Sequence, residues 1–91
     1  MTAAVFNLRL YNQLDQEHRI YAMLGDYDAY DPQTGAYMRS SRGRRKFGRP
    51  KKYWAHALGI TVRFTAENDE KAVEKANKML NEAYAKAEAQ P

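Results

Sequence analysis

A chain of 91 residues with 44% hydrophobic content holds one small domain, and residues 1–91 are expected to form it as a single unit. The absence of cysteine excludes disulfides and thiolate zinc sites, and no apolar run approaches membrane-spanning length. A net charge of +4 with a sequence pI of about 9.4 favours polyanionic partners, of which nucleic acid, ribosome and acidic proteins are the classes to weigh.

Residues 4–11 alternate, with Phe6, Leu8 and Leu10 on one side and Asn7, Arg9 and Tyr11 on the other. That period of two predicts a half-buried strand. The following segment fits two patterns. Leu14, His18, Tyr21 and Leu24 make a helical stripe, whereas Ile20, Ala22 and Leu24 share one side of a strand. The β-formers Ile20 and Tyr21 favour a strand from His18 or Arg19 to Leu24, with residues 12–17 as the connection. Asp31-Pro32-Gln33-Thr34-Gly35 is turn chemistry, and residues 36–39 are expected to return as an antiparallel strand. Residues 53–58 read as a short helical turn or an anchor onto the core. Ile60, Val62 and Phe64 alternate with Thr61 and Arg63 and predict a strand.

A helix is expected from Asn68 to about residue 86. Asn68 suits the N-cap, and Asp69 and Glu70 complement the dipole in the first turn. Ala72, Val73, Ala76, Met79, Leu80, Ala83, Tyr84 and Ala87 form its apolar stripe. Residues 85–91 are expected to fray. The resulting fold class is α+β: a small antiparallel sheet of three or four strands packed on one long C-terminal helix, with a basic inter-strand loop at about 40–52.

Between Asp31 and Glu67 the chain has no carboxylate. Arg39, Arg42, Arg44, Arg45, Lys46, Arg49, Lys51 and Lys52 fall inside that stretch, so most of the excess positive charge sits in one segment. Cations this dense repel one another unless an anion neutralises them, and nucleic-acid phosphate is the commonest such anion. Arginine in particular suits bidentate phosphate contacts. Phe47, Tyr53 and Trp54 are the candidates for stacking on bases, while Tyr53 and Trp54 read more simply as anchors of the loop to the core.

Two resemblances attach to these residues. Gly48-Arg49-Pro50-Lys51 resembles the core of an AT-hook, which implies an extended tripeptide in the minor groove of A·T-rich DNA; Phe47 stands where that family usually has a basic residue. More broadly, residues 19–84 resemble the arm-type DNA-binding domain of phage tyrosine integrases, similar in turn to the plant AP2 type. The resemblance rests on Arg19-Ile-Tyr-Ala-Met23, the Asp31-to-Gly35 turn, Val62-Arg63-Phe64-Thr65-Ala66 and Asp69-Glu70-Lys71-Ala72. It implies a three-stranded sheet facing the DNA major groove, a C-terminal helix behind it, and Arg39 and Arg63 as DNA-facing residues. The extra N-terminal strand and a long insertion from about Ser40 to Gly59 depart from that pattern. No catalytic domain accompanies it.

Asp26, Asp28 and Asp31 lack the spacing of a calcium loop and read as hairpin chemistry, or as acids that pair with the basic segment in the free protein. His18 and His56 are too far apart, without cysteine, to suggest zinc, and no nucleophile and base are paired. The sequence therefore predicts no cofactor, no metal, no catalysis, no membrane association and a cytoplasmic location. It predicts a nucleic-acid-binding protein, DNA preferred over RNA, contacting phosphate through the Arg-rich loop and a sheet face. The alternatives are a phage-type inhibitor that docks its basic loop on a host protein, and a ribosome-associated RNA-binding protein.

Overall fold

Among the described residues, five strands, each antiparallel to the next, form a sheet in the order β1-β2-β3-β4-β5. The computed structural model describes residues 6–40 and 51–89. The strands are β1 (Arg9–Leu10), β2 (Ala29–Tyr30), β3 (Tyr37–Ser40), β4 (Lys51–Ala57) and β5 (Ile60–Ala66). A 3-10 turn over Tyr11–Gln13 and helix α1 (Gln16–Gly25) separate β1 from β2, and helix α2 (Asp69–Ala89) follows β5. The α+β class and the long C-terminal helix are as expected. Three or four strands were anticipated and five are described: the expected strand ending at Leu24 is absent, while Ala29–Tyr30 and Lys51–Ala57 are strands that were not anticipated, the latter in place of a helical turn.

The segment around Arg19–Leu24 is helix, not strand. Asp15 caps it by accepting the His18 amide at 2.8 Å, and Glu17 occupies the first turn. Asp26 ends it in the left-handed region at φ 63°, with its N–H bonded back to Ala22 and Met23 carbonyls. The Tyr27 ring packs over Gly25 so closely that a Cβ there would sit 2.5 Å from a ring carbon, so a larger residue would displace the ring. Strand β3 consequently pairs with Ala29–Tyr30 and not with the Arg19–Leu24 segment. The resemblance to the integrase domain implies a strand at Arg19–Met23, where α1 stands.

One sheet face packs on α2. Ala29, Met38, Tyr53, Ala55, Ala57 and Ala66 are buried from the sheet, and Ala72, Ala76 and Leu80 from the helix. The alanines on both surfaces let helix and sheet approach closely, and Tyr53, Phe6, Met38 and Leu80 supply most of the bulk. At its start, α2 is capped by Asn68, whose side chain accepts the Lys71 amide at 2.8 Å. It continues through Ala89, beyond the point where fraying was expected.

Residues 6–8 keep the predicted alternation, with Phe6 and Leu8 buried, but pair with no strand. Side chains hold them instead: Asp31 accepts the Asn7 amide at 3.0 Å, and two asparagines one helical turn apart on α2 hold Phe6 and Leu8. Asn81 accepts the Phe6 amide at 2.7 Å and donates to its carbonyl at 3.1 Å. Asn77 does the same for Leu8, at 2.7 and 3.4 Å. The Phe6 ring meets Tyr84 edge-on at 5.5 Å. This stretch is therefore not the free edge that would invite strand addition.

Candidate functional site

The other sheet face is open. Along β4 the buried residues Tyr53, Ala55 and Ala57 alternate with Lys52, Trp54 and His56, which point away from α2. Register extends that outer row across the sheet. Trp54 lies between Arg39 on β3 and Arg63 on β5, Lys52 lies opposite Thr65, and His56 sits between Tyr37 and Thr61. Tyr30 on β2 continues the row beside Tyr37.

The outer face is thus aromatic and cationic together. The Arg39 guanidinium lies 5.6 Å from the centre of the Trp54 ring, a cation–π distance. Tyr37 meets Trp54 edge-on at 5.5 Å and stacks on Tyr27 at 4.4 Å. Tyr27 stacks on Tyr30 at 5.8 Å, and Tyr21 of α1 closes on Tyr30 at 5.1 Å. These contacts make a continuous run of rings from α1 to Trp54. Burial, followed by the influence of neighbouring tyrosines, raises the phenols of Tyr27 and Tyr30 above their ordinary value, so both stay neutral through the physiological range. His56 shares a hydrogen bond of 2.8 Å with Thr61 Oγ1.

Charge on this face is barely neutralised. Arg39 reaches the Asp26 carboxylate at 3.7 Å, an exposed pair worth at most about 1 kcal/mol. Asp28 is committed elsewhere, accepting the Ser40 amide at 2.7 Å, and Asp31 is buried in its own turn. So one of the three aspartates does pair with a residue of the basic segment, and the others shape the hairpin. Among the described residues, Lys52 and Arg63 have no carboxylate within ion-pair distance. Between β4 and β5 a depression of about 280 Å³ is lined by Lys52, Trp54, Arg63 and Thr65, with Tyr53 and Phe64 beneath.

The residues proposed from sequence separate into three groups. Arg39, Lys52, Trp54 and Arg63 share the open face. Lys51 turns to the opposite side, where it pairs with Asp69 at 3.5 Å, and Tyr53 is buried at 1% exposure with its hydroxyl donating to Asp69. A buried ring has no face for a base, so Tyr53 is an anchor and not a stacking residue. It also stacks on Phe64 at 5.8 Å. Arg42, Arg44, Arg45, Lys46, Phe47 and Arg49 lie outside the described residues. The expected loop bounds of 40–52 overreach at both ends, because Ser40 belongs to β3 and Lys51 and Lys52 to β4.

Comparison with protein-family models, with curated proteins and with solved structures finds no match.

Sequence reasoning missed Tyr27, Tyr30, Tyr37 and His56 as members of the exposed face. For His56 the signal was present in residues 52–57, where large or polar side chains alternate with Tyr53, Ala55 and Ala57. Among the described residues no cluster of His, Asp and Glu is placed to hold a metal ion, and no helix is long and apolar enough to cross a membrane.

Proposed function

We propose that this chain is a non-catalytic nucleic-acid-binding protein that contacts backbone phosphate through its outer sheet face and the Arg-rich segment that joins β3 to β4. One observation carries the reading: Arg39, Lys52 and Arg63 surround Trp54 on an open face, and the latter two are unneutralised among the described residues. Cations next to exposed aromatics are what phosphate and base contacts require together. The segment carrying Arg42, Arg44, Arg45, Lys46 and Arg49 follows Ser40, the last residue of β3, and precedes Lys51, the first of β4, and Arg39 and Lys52 stand at those same strand ends. DNA is preferred over RNA on the strength of the AT-hook-like Gly48-Arg49-Pro50-Lys51, which implies DNA.

A contact with a protein partner is the second reading. Its specific support is α1, where Ile20 and Leu24 are 48% and 81% exposed, an unusual display of apolar surface on a short helix. The deciding experiment compares wild type with an Arg44/Arg45/Lys46→Ala variant for binding to DNA, RNA and heparin at low salt. The nucleic-acid reading expects the variant to lose at least tenfold in DNA affinity. Absence of wild-type binding to any nucleic acid overturns it and favours the protein partner.

A further inference from the structure

We propose that the depression beside Trp54 is a stacking slot for one unpaired nucleobase, so that the preferred ligand is single-stranded nucleic acid. This rests on the nucleic-acid reading above and names its substrate class. Arg39 lies over one side of the indole, from β3. The depression opens toward β5, between Trp54 and Arg63. The ring is therefore braced by a cation from β3, and it lines a space shared with Lys52, Arg63 and Thr65. Tyr37, edge-on to the indole, fixes the ring from a further direction. A base entering this slot would stack on a ring whose position is already set, so little side-chain freedom is lost on binding. Lys52 and Arg63 at its rim would take the flanking phosphates, and the Thr65 hydroxyl offers both a donor and an acceptor to a base edge.

The geometry disfavours a duplex for two reasons. Bases in a duplex present edges to the grooves and hide their faces in the stack, so a slot made for a ring face stays empty. Helix α1 also stands against the outer row, with Tyr21 and His18 on Tyr30, and so flanks the open face along its β2 side. The AT-hook-like tetrapeptide implies the opposite preference, for A·T-rich duplex, and the two are separable.

The test titrates the full chain with oligothymidylate, oligouridylate, a mixed-sequence duplex, an A·T-rich duplex and heparin. Affinity is followed by anisotropy of the labelled ligand, and occupancy of the slot by emission of Trp54, the chain's one tryptophan. Both single strands should bind roughly tenfold or more tighter than either duplex and change Trp54 emission saturably, while heparin binds without that change. The ratio of the two single strands then reports whether the sugar matters. A Trp54→Leu variant should lose roughly tenfold for single strands and keep its heparin affinity; if it does not fold, the wild-type emission decides. Duplex binding as tight as single-strand binding, or single strands that leave Trp54 emission unchanged, would overturn the slot and leave the nucleic-acid reading intact. Heparin binding with no nucleic-acid binding would overturn both.

Discussion

Leu58 shows how a single position departs from local preference. It and Gly59 form the two-residue connection between β4 and β5, with φ of 49° and 81°. Both values lie in the left-handed region, which a tight hairpin of this twist demands and which a leucine adopts at a cost of about 1 kcal/mol. The side chain gains little in return, being 61% exposed. A Leu58→Asn substitution should therefore stabilise the fold by about 0.5–1 kcal/mol, seen as a higher urea midpoint at unchanged slope. Asp26 sits in the same backbone region, where aspartate is better tolerated, and there the carboxylate reaches Arg39. The Leu-Gly pair also explains a misreading. Without the usual Asn-Gly signal, residues 53–58 looked like an anchor rather than the first arm of a hairpin.

Among the elements, α1 was the least legible and α2 the most. Helix α2 presents its stripe inward, with Ala72, Ala76 and Leu80 fully buried, so period and burial agree. Helix α1 buries only Ala22 and leaves Ile20, Tyr21, Met23 and Leu24 outside. Its apolar residues thus report neither a helical core stripe nor a strand face, and β-propensity won the sequence reading by default. The punctuation was more reliable, since Asp15 before and Gly25-Asp26 after mark a start and a stop. For residues 6–8 the alternation was readable, but the partner was not. Asn77 and Asn81 look like ordinary polar positions, and nothing local reveals that their amides serve as a strand edge. Replacing both with alanine should cost about 2–3 kcal/mol, since each removes bonds to backbone groups otherwise shut in beneath Phe6 and Leu8. Amide exchange at Phe6 and Leu8 should accelerate far more than exchange within β4 and β5, which locates the loss.

At the scale of the molecule, two layers separate two kinds of work. The inner layer is alanine-rich and pairs its few charges locally, as with Lys51 and Asp69. The outer layer keeps its cations available. The acid-free stretch of sequence predicted that concentration of charge, yet it could not show which members share a face, because strand parity decides that and parity depends on the β4 register. If about five phosphates are contacted, log affinity should fall against log salt with a slope of about −4 to −5 on a duplex and about −3.5 on a single strand, measured by anisotropy across a salt series. Removing Arg44, Arg45 and Lys46 should flatten that slope by about 3 on a duplex and about 2 on a single strand. The asparagine clasp has a consequence of another kind. Phe6 and Asn81 are 75 residues apart in the chain, yet each satisfies the other. During synthesis the opening segment has no seat until nearly all of α2 has been made. The seat of Phe6 and Leu8 therefore forms only after Asn77 and Asn81 have been made.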